Sequence, residues 1–123
     1  MAKKRILLID DEADLLRVTQ MNLERSGDFV VTTAATGEEG VALARQAAFD
    51  LVITDFKMPG MDGGEVVAAL KALQPRPPVV LFSVYHDDTA TVTPEILNSV
   101  DGLISKPLDH GQLLATVRKL LGP

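Results

Sequence analysis

Five side chains able to do chemistry stand directly behind short apolar runs. Asp10 and Asp11 follow Arg5–Ile9, Asp55 follows Leu51–Thr54, Ser83 follows Val79–Phe82, and Lys106 follows Leu103–Ser105. Three carboxylates brought together repel one another, and a divalent cation between them lowers that cost. Hard oxygen ligands, with one or two direct carboxylates and several waters, suit Mg²⁺. A carboxylate beside Mg²⁺ can act as a nucleophile toward a phosphoryl group, giving an aspartyl phosphate. The phosphoryl oxygens then need counter-charge and donors. The Lys106 ammonium, the Ser83 hydroxyl and the cation would supply them.

That chemistry requires the five residues to meet, which is a demand on the elements that carry them. Leu51 to Thr54 is apolar, rich in β-branched residues and followed by Pro59, Gly60 and Gly63. This reads as a buried strand with Asp55 at its C-terminal end and a turn behind it. Arg5–Ile9, Phe29–Ala34, Val79–Phe82 and Leu103–Ser105 read as four more strands. Helical patterns lie between and after them. Ala13–Ser26 places Leu15, Leu16, Val18 and Leu23 on one arc, with Thr19 and Asn22 inside it, and ends at Gly27. Thr36 with Glu39 three residues on forms a capping box for a helix to Gln46. Gly64–Leu73 follows Asp62 as N-cap, Pro94 opens a short helix to Ser99, and Asp109 caps a last helix carrying Leu113, Leu114, Val117, Leu120 and Leu121. Five strands alternating with five helices predict a parallel sheet covered on both faces. All five chemical residues then fall on one edge of that sheet, where ligands bind in such folds.

Each residue also has a plainer reading. Acids are favoured in a first helical turn, which covers Glu12 and part of the Asp10–Asp11 pair. Ser ends many strands, and a lone lysine in a loop is commonly solvated. His86 and His110 have no metal-ligand partner at useful spacing and read as ordinary surface residues.

Composition narrows the classes. The 123 residues fit one domain, expected over 1–123 with no output domain, and 46% are hydrophobic. There is no cysteine, which excludes disulfides, thiolate metal sites and thiol catalysis. A net charge of −5 argues against direct nucleic-acid binding. Lys3-Lys4-Arg5 precedes an apolar run too short for a signal peptide or a membrane span, so the chain is expected to be soluble and cytoplasmic.

Ile-Asp-Asp-Glu at 9–12, Thr-Asp-Phe-Lys-Met-Pro-Gly-Met-Asp-Gly at 54–63, Ser83 and Lys106-Pro107 together resemble the receiver domain of two-component response regulators. The resemblance covers essentially the whole chain. It implies a flavodoxin-like, receiver-type sheet in the order 2-1-3-4-5. It implies Asp55 as phosphoacceptor and Asp11 and Asp55 as direct Mg²⁺ ligands, with Asp10 acting mostly through water and the Lys57 backbone carbonyl as a further ligand. Ser83 would bond a phosphoryl oxygen and shift toward it, Lys106 would pair with the phosphoryl group, and Pro107 would follow a cis peptide. A sensor histidine kinase or a histidine phosphotransfer protein would be the donor. The domain would catalyse its own phosphorylation and hydrolysis, without being a metabolic enzyme. Output would pass to a protein partner or to an effector domain outside this chain, with a weak or phosphorylation-dependent dimer also implied.

Three positions depart from the family pattern: Val84 where a small residue is usual, Leu103 where an aromatic is frequent, and an atypical segment from Tyr85 to Thr93 before a short helix. They motivate an alternative, a receiver-like scaffold that works without phosphorylation. A phosphatase using aspartyl-phosphate chemistry would need a substrate-binding insertion that the chain lacks. A flavin binder would need a phosphate-cradling loop after the first strand, where Asp10-Asp11-Glu12 would repel it.

Overall fold

The computed structural model describes residues 3–83, 94–105 and 109–122, apart from the side chains of Ser83, Leu97 and Ser105. The apolar runs form β1 (Lys4–Ile9), β2 (Phe29–Ala34), β3 (Leu51–Asp55), β4 (Val79–Ser83) and β5 (Gly102–Ser105). The helical patterns form α1 (Ala13–Arg25), α2 (Gly37–Gln46), α3 (Gly63–Lys71), α4 (Pro94–Ser99) and α5 (His110–Leu121). The strands pair in parallel in the order β2-β1-β3-β4-β5, as expected.

Alternation along each strand builds two cores, because successive side chains leave a strand on opposite faces. Ile6 and Leu8 of β1, Leu51 and Ile53 of β3, and Val80 and Phe82 of β4 join Leu23 of α1 and Leu113 and Val117 of α5. Leu7, Ile9, Val52 and Val79 face the other way, against Val41 of α2 and Val66, Val67 and Leu70 of α3. Strands covered on both sides read as continuous apolar runs, which is why β1, β3 and β4 were legible as strands. The α4 helix lies beside α3, where the Lys71 ammonium donates to the Ser99 hydroxyl at 2.9 Å.

Capping chemistry sets the helix starts. The Asp62 carboxylate accepts from the Glu65 N–H at 2.9 Å, and the Glu65 carboxylate reaches back to the Asp62 N–H, a complete capping box. Thr36 accepts from the Glu39 N–H at 3.1 Å, but the Glu39 carboxylate passes the cap and accepts from the Ala35 N–H at 2.7 Å. Asp109 accepts from the Gln112 N–H at 3.1 Å.

The differences from expectation have local causes. β1 begins one residue early because the Lys4 N–H donates to the Asp28 carbonyl at 3.1 Å and Lys4 registers with Phe29. α1 stops at Arg25, with Ser26 as its C-cap and Gly27 following at a φ of 83°. α3 starts at Gly63, directly after its cap, and tightens at Ala72 and Leu73, whose N–H groups turn back to Ala69 and Leu70. His110 is not an ordinary surface residue. It is half-buried, its Nδ1 is covered, and it lines a cleft of about 290 Å³ with Leu23 and Arg25 of α1. Val84, Tyr85–Thr93, His86, Lys106 and Pro107 lie outside the described residues.

Within the expected arc of α1, Thr19 and Leu23 are the residues buried most deeply, and Val18 is the exception. Val18 is 44% exposed, whereas Thr19 is 1% exposed and its hydroxyl has no hydrogen-bond partner among the described residues. An unmade hydrogen bond in a core costs more than the hydroxyl contributes. Thr19→Val keeps the branched shape and removes the polar atom. It is expected to stabilise the fold by about 1 kcal/mol, seen as a higher denaturation midpoint at unchanged slope.

Candidate functional site

The carboxylates meet because of strand register. β1 and β3 are neighbours, with Ile9 opposite Thr54. One step further, Asp10 comes alongside Asp55, and alternation places both on the side of the sheet that carries α1 and α5. Asp55 ends β3 opposite Phe82 of β4, and the next N–H, of Phe56, donates to the Phe82 carbonyl at 2.9 Å. Carboxylate oxygens of Asp10, Asp11 and Asp55 all lie within 4.8 Å of one another. Asp10 is 1% exposed and Asp55 4%, while Asp11 reaches solvent.

Helix capping does not account for this cluster. The N-cap of α1 is Glu12, whose side chain makes no capping bond, and the acid in the first turn is Asp14. Asp10 does have a local role, since one carboxylate oxygen accepts from the Glu12 N–H at 3.0 Å. That bond folds the β1–α1 corner and fixes how the carboxylate lies. Three carboxylates at this separation, two of them nearly solvent-free, form a hard, all-oxygen donor set of the kind that holds Mg²⁺. The residues present therefore fit that ion.

The loop from β3 to α3 completes the edge. Phe56 and Met58 are buried on either side of Lys57, whose side chain is exposed. The Gly63 N–H donates to the Phe56 carbonyl at 2.6 Å and closes the loop over the end of β3. A Cβ on Gly63 would lie 2.6 Å from Phe56 Cα and 2.7 Å from the Asp55 carbonyl oxygen, so only glycine fits this approach. The sequence marked Gly63 only as one of three turn residues behind Asp55, and its close approach to the end of β3 depends on the fold of the loop. Thr54, fully buried next to Asp55, donates its hydroxyl to the Asp55 carbonyl at 3.0 Å.

Ser83 is the last residue of β4, directly after the Phe82 that pairs with Asp55, and it registers with Ser105 of β5. Its backbone is thus on the expected edge. Lys106 lies outside the described residues, although β5 ends immediately before it. A separate cleft of about 440 Å³ opens between the end of α2 and the Gln74–Pro78 segment, and none of its lining residues belongs to the carboxylate cluster.

A family profile described as the response regulator receiver domain matches residues 6–118. The chain belongs to this family. Among curated relatives, the receiver is 33% identical over 121 residues to the uncharacterized transcriptional regulatory protein YkoG of Bacillus subtilis, covering 98% of this chain and 52% of the relative. It is 32% identical to PhoP, the alkaline phosphatase synthesis transcriptional regulatory protein of the same species, covering 96% of this chain and 48% of PhoP. For the transcriptional regulatory protein ZraR of Escherichia coli the identity is 34%, over 94% of this chain and 26% of ZraR. The receiver thus spans about half or less of these relatives' length. Among solved structures, it superposes on a CheY-like receiver domain protein of Methanospirillum hungatei with a TM-score of 0.83 and 32% identity, covering 98% and 94% of the two chains. The response regulator TrrA of Thermotoga maritima, solved in complex with Mg²⁺ and BeF, gives a TM-score of 0.84 at 29% identity, covering 96% and 99%. Among the described residues of the receiver, no helix is long and apolar enough to cross a membrane.

Proposed function

We propose that this receiver is a phosphorylation-dependent signalling switch with Asp55 as its phosphoacceptor. The carrying observation is the convergence of Asp10, Asp11 and Asp55 oxygens within 4.8 Å at one sheet edge. Asp11 and Asp55 would hold Mg²⁺ directly, with Asp10 acting mainly through water and the Lys57 carbonyl completing the protein ligands. When bound, the cation neutralises charge on the carboxylates and on the transferred phosphoryl oxygens.

In the forward step an Asp55 oxygen attacks the phosphorus of a phosphohistidine on a histidine kinase or phosphotransfer protein. The P–O bond forms as the P–N bond breaks, and the departing imidazole takes up a proton. To end the signal, a water oxygen attacks the phosphorus, the P–O bond to Asp55 breaks, and the regenerated carboxylate and inorganic phosphate are left, with the water proton carried off on the phosphate or by solvent. Asp10 keeps the corner folded through its bond from the Glu12 N–H. Ser83 and Lys106 are assigned the donor and counter-charge roles toward the phosphoryl oxygens. Phosphorylation adds negative charge at this edge, and adjustment of Ser83 and Lys106 would carry that change to β4 and β5. The signal would then pass by contact to an output protein or to an effector domain, as the transcriptional regulators among the relatives suggest.

The test is intact mass after incubation with acetyl phosphate and Mg²⁺, beside a metal-free control. One added phosphoryl group, present only with the metal, is the expected result. No adduct, together with no response to beryllofluoride in the presence of Mg²⁺, would overturn the proposal. A receiver-like scaffold that works without phosphorylation would then take its place.

A further inference from the structure

Glu38 and Glu39 are consecutive acids in the first turn of α2, and the helix dipole favours both there. Their carboxylates do different things. Glu39 turns back past the start of its helix and accepts from the Ala35 N–H at 2.7 Å. Glu38 leaves its helix and crosses to the loop between β3 and α3. Its Oε1 accepts from the Met61 N–H at 3.4 Å. Its Oε2 lies over Gly60, 3.1 Å from where a Cβ would stand, at a residue whose φ of 75° already favours glycine.

The packing beneath this crossing is close. A Cβ on Gly37 would sit 2.7 Å from the Met61 carbonyl oxygen and 2.9 Å from a methyl of Val66. The start of α2 is therefore seated on the loop that contains Lys57. The Gly63 N–H bond to the Phe56 carbonyl ties the two ends of that loop together, and the buried Phe56 and Met58 anchor its first half. The exposed Pro59 and Gly60 lie between these anchors and Met61, and Glu38 holds that stretch from across the gap.

We infer that Glu38 is a positioning residue for the metal site, setting the loop that presents the Lys57 carbonyl through its bond from the Met61 N–H. The inference rests on the proposed Mg²⁺ site and adds a residue that touches neither the cation nor the phosphoryl group. Glutamine keeps the acceptor oxygen and removes the charge, whereas alanine removes both. The two substitutions therefore separate positioning from simple loss of a nearby negative charge.

The experiment is an Mg²⁺ titration followed through backbone amide resonances, with thermal unfolding run in parallel. It uses the wild-type chain, Glu38→Ala, Glu38→Gln and Glu39→Ala. Glu38→Ala is expected to weaken Mg²⁺ binding about threefold, the scale of one lost exposed hydrogen bond. Its Met61 amide should also shift in metal-free buffer. Glu38→Gln should restore most of the affinity. Glu39→Ala should lower thermal stability and leave the Mg²⁺ affinity unchanged, because its bond ties α2 only to Ala35 just before the helix and not to the β3–α3 loop. Equal affinity in the wild type and Glu38→Ala would overturn the inference and leave the metal site standing. So would a Glu38→Gln variant as weak as Glu38→Ala, which would assign the effect to charge. A wild-type chain that binds no Mg²⁺ at all would remove the proposed site and this role with it.

Discussion

Asp55→Asn is expected to accept no phosphoryl group from acetyl phosphate under conditions in which the wild-type chain is labelled. The amide keeps the size of the side chain and one oxygen acceptor. It loses the anionic oxygen that would attack phosphorus. The same substitution is expected to remove most of the metal-linked stabilisation. A ligand that binds only the folded state stabilises it by RT ln(1 + L/Kd), with L the free concentration. At a free concentration a hundredfold above the dissociation constant that amounts to about 2.7 kcal/mol. Asp55 is 4% exposed and contributes one of three carboxylates within 4.8 Å, so its neutralisation changes the charge of the donor set as well as its shape. Denaturant titrations with and without Mg²⁺ measure the effect. The wild-type midpoint should rise with the metal, and that of Asp55→Asn should move little. An Asp55→Asn chain that is still labelled once would place the phosphoacceptor elsewhere, with Asp11 the first residue to examine.

Gly63→Ala is the second large effect. Two contributions compete. Alanine has a better helix propensity than glycine, by about 1 kcal/mol in a helix interior. Against this stand the two backbone atoms, Phe56 Cα at 2.6 Å and the Asp55 carbonyl oxygen at 2.7 Å, which a new Cβ would meet. Side-chain ends can move aside, but these atoms belong to the end of β3 and its first loop residue. Overpacking of this kind typically costs 1–3 kcal/mol, and the immovable partner puts this case near the upper end. The net expectation is a destabilisation of about 2 kcal/mol, together with Mg²⁺ affinity about tenfold lower, because the loop must lift to admit the methyl group. Chemical denaturation and the same amide-resonance titration read both. A stable Gly63→Ala chain with wild-type affinity would show that the loop yields without cost.

The architecture was legible because the sequence pattern and the burial demand coincide. β2, α2 and α4 lie where the residues alone placed them, since Thr36 and Pro94 are strong local start signals. The carboxylate pair was legible because a strand end fixes where its last residue points. What stayed hidden depended on contacts between distant parts of the chain. Val18 and Thr19 are adjacent in α1 and both fall inside its expected arc, so the sequence did not say which would be buried. The angle at which α1 lies on the sheet buries the threonine. The destination of the Glu39 carboxylate, Ala35 rather than Thr36, is set by backbone geometry at the corner, which spacing alone does not encode. Glu38 looked like an ordinary first-turn acid for the same reason. Its target, Met61, lies far along the chain and is brought near only by the packing of α2 on the loop.

The strand order has a mechanical consequence. Asp10 and Asp55 are anchored to β1 and β3, each clamped by hydrogen-bonded neighbours on both flanks. Ser83 stands at the end of β4, whose outer neighbour is β5, an edge strand of four residues held from one side. β1 also adjoins an edge strand, β2, but that pairing runs from Lys4 to Ile9, whereas β5 pairs with β4 only from Val80 to Ser83. The carboxylate wall therefore adjoins the longer of the two edge pairings, and the Ser83 wall the shorter. If Asp55 takes up a phosphoryl group as proposed, the added charge would meet fewer strand-to-strand hydrogen bonds on the β4–β5 side, which gives the response a direction before a partner is involved.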